Sequence, residues 1–159
     1  MTVEAVIWDF GGVFTTSPFE AFNRYETGRG LPKDLIRTIN ATNPHDNAWA
    51  LFERAEIDAA GFDEIFAAEA KALGHDVRGA DVLPLLSGEV RPRVVAALKA
   101  CKARFKVGCI TNNMASAGHG AGMASTTGKA AQIAEIMSQF DAVIESSKVG
   151  VRKPDLGSI

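Results

Sequence analysis

Ala5-Val6-Ile7-Trp8-Asp9-Phe10-Gly11-Gly12-Val13-Phe14 is the stretch from which the rest of the chain is read. Four apolar residues without a polar break predict a short strand buried on both faces, and an acid followed by paired glycines predicts the turn that ends it. Asp9 then stands at a strand's carboxyl end, where open α/β sheets bind ligands because the loops leaving the strands form a crevice. An aspartate before glycine also commonly does no more than cap a turn. The choice between these two roles depends on what the other strands carry at their ends.

The bulk composition narrows the field. The chain has 159 residues, 47% of them hydrophobic and 23% charged, with a formal net charge of -2. That suits one globular core with a small appended lobe. With a pI near 5.9 there is no basic field for nucleic acid or an anionic membrane. Cys101 and Cys109 sit in apolar surroundings at no metal-ligand spacing, and no apolar run is long enough to cross a bilayer. A cytoplasmic protein with reduced thiols is expected.

Ser17-Pro18-Phe19-Glu20 combines an N-cap, a proline at the first helical position and a capping-box acid, which predicts a helix over residues 18–27. A second helix is expected to begin at Pro32, with Leu35, Ile36 and Ile39 on one face. Beyond the polar turn 54–58, Phe62, Ile65, Phe66, Ala70 and Leu73 mark a long amphipathic helix closed by Gly74. Short helices over 80–86 and 92–103 follow. Residues 16–88 therefore read as a helical lobe inserted between the first strand and the second. That second strand spans 105–111 and ends in Thr111-Asn112-Asn113. The stretch 114–128, rich in Gly, Ala and Ser, is expected to be a mobile loop in which His119 is solvated. A helix over 129–139 leads to a third strand over 141–145 and a loop carrying Lys148, Arg152 and Lys153. Strands alternating with helices predict a Rossmann-like parallel sheet of α/β class.

Three strand ends thus offer a carboxylate, a hydroxyl with an amide, and cations, a set suited to a phosphorylated or otherwise anionic substrate. Asp9 is placed to attack phosphorus and form an aspartyl-phosphate. Mg²⁺ would mask its charge, Gly11 and Gly12 would let backbone groups approach the ion and the phosphate, and a lysine would neutralise the transferring group. Taken singly, such residues are ordinary solvated polar groups.

These stretches, with 140–155 and the segment Leu51-Phe52-Glu53-Arg54-Ala55-Glu56-Ile57, resemble the haloacid dehalogenase superfamily. Within it they are similar to the phosphatases that resemble the N-terminal domain of soluble epoxide hydrolase and to the bacterial glucose-1-phosphatase group. The resemblance implies a core over 1–15 and 89–159 and a helical cap over 16–88. It implies that Asp9 is the nucleophile, that Thr111 holds a phosphate oxygen, that Asn112 lines the site and that Lys153, rather than Lys148, neutralises charge. It also implies Mg²⁺ on Asp9 and the Gly11 carbonyl.

Two departures shape the expectations. Gly11 stands where the family's second acid usually is, which leaves a leaving group of low pKa as the one needing least help. The family's further strands and their acidic metal-binding motif are not within the 159 residues, so an incomplete metal site, low turnover and self-association through an uncovered sheet edge are expected. The leading function is a Mg²⁺-dependent phosphatase for a small phosphomonoester. Dehalogenation of a 2-haloacid and a non-catalytic binding remnant are the alternatives. Trp49, Phe52 and Phe19 are candidates for a pocket wall, with core packing the expected role of Phe52.

Overall fold

In the computed structural model, residues 2–112 and 127–154 are described. The expectations for Asn113, for His119 and for most of the Gly-rich stretch lie outside those residues. Strands β1 (Ala5–Trp8), β2 (Lys106–Thr111) and β3 (Ala142–Glu145) form one open parallel sheet in the order β1-β2-β3. The register places Trp8 beside Cys109 and Thr111 beside Glu145. The three carboxyl ends therefore lie along one edge.

Between β1 and β2 the described chain is helical. It runs through α1 (Pro18–Gly28), α2 (Leu35–Ala41), α3 (Ala48–Glu53), α4 (Ala59–Ala72), α5 (Gly79–Val82), a 3-10 turn at Leu83–Leu86 and α6 (Pro92–Lys102). Helix α7 (Thr127–Met137) precedes β3, and α8 (Ser146–Val149) follows it. Ser17 caps α1, accepting a hydrogen bond from the Phe19 amide at 3.3 Å. Helix α2 begins at Leu35, three residues after the proline expected to open it. Its N-terminus is capped from a distance: the buried Glu26 carboxylate accepts from the Asp34 amide at 2.8 Å and the Ile36 amide at 2.9 Å. Residues 146–149, expected as loop, form the helical turn α8.

Two apolar clusters result. Phe22, Ile36, Phe52, Phe62 and Phe66 are the centre of one, within the helical segment. In the other, Val107 and Cys109 of β2 pack with Phe10, Phe14, Leu98 of α6 and Ile133 and Ile136 of α7. β2 therefore buries alternate residues on one face. The expectation that β1 is buried on both faces is corrected: Ile7 is 66% exposed, because β1 is the sheet's edge and Ile7 points away from the cluster holding Val107.

The two connections between helical segment and sheet run side by side. The Thr16 amide donates to Glu89 O at 2.8 Å and the Arg91 amide to Phe14 O at 2.7 Å, flanking an antiparallel bridge between Thr15 and Val90. Gly88 makes this approach possible: a Cβ there would lie 2.5 Å from Thr16 O.

Candidate active site

Asp9 follows β1 directly, half exposed, and its Oδ1 accepts hydrogen bonds from the Phe10 amide and from Lys153 Nζ, each at 2.7 Å. The first bond fixes the carboxylate against its own turn. The second brings together residues 144 positions apart in sequence. Lys153 Nζ also donates to Ile110 O at 2.9 Å, so the ammonium is held between the ends of β1 and β2.

Asn112 explains why Lys153 points there. Its Oδ1 accepts from the Lys153 amide at 2.7 Å, and its Nδ2 donates to Lys153 O at 3.0 Å. This two-point clamp ties the segment after α8 to the end of β2. Thr111 sits one residue earlier, buried at the last position of β2. Gly12 adopts φ +75°, and its amide donates to Thr15 Oγ1 at 3.1 Å. That bond closes the turn after Asp9. Lys148 is elsewhere: it is exposed and pairs with Glu145. Asp9, Lys153, Asn112 and Thr111 are thus gathered at one sheet edge, with Gly11 and Gly12 in the adjoining turn.

The thiol of Cys109, one register step from Trp8, has its pKa pushed up to about 11 by burial and then by the Asp9 charge, against a smaller opposing effect of Lys153. It stays protonated at neutral pH and is no nucleophile.

A second charged contact lies beside the first. Arg152 Nε stands 2.6 Å from Glu53 Oε2, and Arg152 Nη1 donates to Pro44 O at 2.7 Å. Ser146 Oγ donates to Glu53 O at 2.7 Å. Burial pushes the Glu53 carboxyl pKa up, opposed by Arg152 and by a hydrogen bond from Trp49. Glu53 therefore joins the helical segment to the residue preceding Lys153. The sequence reading gave Glu53 no role, and the available signal was an acid ending the otherwise apolar run of α3.

As a magnesium cage the site is short of donors. Among the described residues no three of His, Cys, Asp and Glu come together to hold a metal. Asp9 and the Gly11 carbonyl are the available set, and Asp9 Oδ1 is already engaged twice. Mg²⁺ demands octahedral oxygen coordination, and this set does not fit it as a resident ion. Among the described residues no helix is long and apolar enough to cross a membrane.

No family model matches the chain, and no curated protein matches it in sequence. Solved structures do resemble it. YfnB of Bacillus subtilis, assigned as a HAD hydrolase and bound to magnesium, is 16% identical with a TM-score of 0.56, over 98% of this chain and 70% of that one. An L-2-haloacid dehalogenase of Xanthobacter autotrophicus with chloropropionic acid covalently bound is 20% identical with a TM-score of 0.55, over 96% and 60%. The HAD family enzyme BT-2542 of Bacteroides thetaiotaomicron, in complex with magnesium and inorganic phosphate, is 14% identical with a TM-score of 0.55, over 97% and 74%. The chain thus spans between 60% and 74% of the length of these relatives. A parallel sheet with helices inserted after its first strand, shared with all three, shows that the chain has the fold of the haloacid dehalogenase (HAD) hydrolases.

Proposed function

We propose that the protein is a hydrolase of small phosphomonoesters, with Asp9 as nucleophile, in which residues 16–88 act as a cap over a core formed by 1–15 and 89–159. The observation that carries this reading is the 2.7 Å pairing of Lys153 Nζ with Asp9 Oδ1 at the carboxyl edge of the sheet. A half-exposed carboxylate beside a clamped ammonium is arranged to meet an anion: the lysine offsets charge on the phosphoryl group as the carboxylate approaches it.

In the first step an Asp9 oxygen bonds to phosphorus and the bond from phosphorus to the ester oxygen breaks, its electron pair leaving with that oxygen. The Thr111 hydroxyl donates to a phosphoryl oxygen. Water then attacks the aspartyl-phosphate, releasing inorganic phosphate and restoring the carboxylate, with one proton passing to solvent. Asn112 acts by keeping the Lys153 backbone in place. The magnesium dependence expected from the sequence is supported by the magnesium bound to YfnB and BT-2542. No step is derived through the ion, because the described donors do not fit it.

Dehalogenation is the second reading. It is favoured by the likeness to the chloropropionate-bound dehalogenase and by the lack of a carboxyl in the loop 10–13 after Asp9. Halide, like an acidic alcohol, departs without protonation. Purified protein assayed on a phosphomonoester panel and on 2-chloropropionate, with Mg²⁺ and with EDTA, separates the two. Phosphate release that vanishes in Asp9→Asn and falls about 100-fold in Lys153→Met supports the first reading. Chloride release surviving EDTA supports the second, and full activity in Asp9→Asn rejects both. Self-association through the β1 edge, with a second copy as partner, belongs to the same reading of the chain.

A further inference from the structure

Next to the proposed site lies a cavity of about 360 Å³ with Phe19, Phe22, Trp49, Arg37, Asn40 and Arg152 among its walls. Three features of it are unexplained by packing alone. Phe19 is 45% exposed, yet its ring carries the Arg37 guanidinium 4.3 Å above its centroid and stands 6.1 Å from the Phe22 ring. Asn40 Oδ1 is buried with no hydrogen-bond partner among the described residues. Arg37 meets one acid, Asp34, at 3.4 Å on the open side, which leaves most of its donors unspent. Aromatic walls, a cation stacked on one of them and an unmet acceptor together describe the complement of a flat ring carrying an anionic group and a hydroxyl.

The cavity's position relates it to the reacting group. Arg152 closes one side, and Lys153, whose Cα follows about 3.8 Å along the chain, holds Asp9. A ring in the cavity thus lies next to the carboxylate. The turn after Asp9 adds an independent constraint: Phe10, Gly11, Gly12 and Val13 supply no proton donor for a departing alkoxide. A phenolic oxygen is acidic enough to leave as its anion.

We propose that this cavity binds the leaving group of the substrate, and that the leaving group is a phenol bearing a carboxylate read by Arg37. The inference rests on the phosphatase reading above. In the reaction the bond between phosphorus and the phenolic oxygen breaks, the electron pair stays on that oxygen, and Asp9 takes the phosphoryl group. The phenolate acquires its proton from solvent.

The test has a binding arm and a turnover arm on the full chain. In the first, 4-hydroxybenzoate is titrated while tryptophan fluorescence is followed, with Trp49→Phe to assign the signal. Saturable quenching that weakens about tenfold in Arg37→Ala is expected, the loss of one charge-assisted contact. In the second, 4-carboxyphenyl phosphate, phenyl phosphate and ethyl phosphate are compared. The order of kcat/KM is expected to follow that sequence, and Arg37→Ala is expected to erase the preference for the carboxylated ester while leaving phenyl phosphate turnover in place. Binding that is absent, or unaffected by Arg37→Ala, overturns the assignment of the cavity. Ethyl phosphate turned over as fast as the aryl esters overturns the leaving-group assignment. Arg37-dependent binding without turnover of any ester supports the cavity's ligand class and rejects the phosphatase reading instead.

Discussion

Glu53 shows how a single buried carboxyl sets both stability and geometry at the candidate site. Desolvation is the largest influence on it and raises its pKa, with Arg152 and Trp49 returning part of the cost of charging it. Because the folded value exceeds the unfolded one, the native state binds more protons than the unfolded chain between the two values. The group's contribution is fully present below the unfolded pKa and is lost as pH rises through the folded pKa. Glu53→Gln, which resembles the protonated side chain, is therefore expected to be at least as stable as the wild type at neutral pH and to lose this part of the pH dependence. Urea midpoints of both proteins between about pH 4 and 7 check this, starting near the ordinary glutamate pKa. A Glu53→Gln protein markedly weaker at neutral pH would show that the pairing with Arg152 outweighs burial. Glu53→Ala differs, since it leaves Arg152 Nε without its counter-charge in a largely buried place and is expected to cost about 3 kcal/mol.

At the scale of elements, the paired connections between helical segment and sheet are the tightest joint in the structure. A Cβ on Gly88 would press on backbone Thr16 O at 2.5 Å and on Thr15 Cβ at 3.1 Å, neither the end of a flexible side chain. Gly88→Ala is expected to destabilise by about 2 kcal/mol through this overpacking. Gly28→Ala, where a Cβ meets nothing within 4 Å at the end of α1, is the matched control and is expected to be neutral or slightly stabilising. Equal urea midpoints for the two variants would show that the joint yields easily. The same scale shows what could be read in the sequence. α1 was legible because Ser17 and Pro18 act within one turn, and β2 because its apolar residues and polar end lie within six positions. The start of α2 was not, since its cap comes from Glu26, eight residues before Asp34. The pairing of Asp9 with Lys153 was readable from strand-end placement, because parallel strands bring their carboxyl ends to one edge. The contact of Glu53 with Arg152 was not, because no local period links a helix end to a loop 99 residues on.

For the whole molecule the consequential feature is the free side of β1. An unbroken apolar run shows that a strand forms and leaves open whether a neighbour covers it, which is why burial on both faces was the wrong expectation. Among the described residues β1 is hydrogen-bonded to β2 alone, so its outer amides and carbonyls face outward beside Ile7. A second copy suits this edge. Antiparallel pairing about Val6 sets Ala5 of one copy opposite Ile7 of the other, joining two three-stranded sheets and placing both isoleucines on one face. The mass measured by light scattering is therefore expected to rise toward that of a dimer with concentration. Ile7→Lys is expected to hold the protein at 16.9 kDa, because an edge lysine loses its hydration on pairing and resists strand addition. Circular dichroism unchanged between the two proteins would show that the substitution acts on association and not on folding. A wild type that stays monomeric at high concentration, or an Ile7→Lys protein that associates as strongly, would remove β1 as the contact.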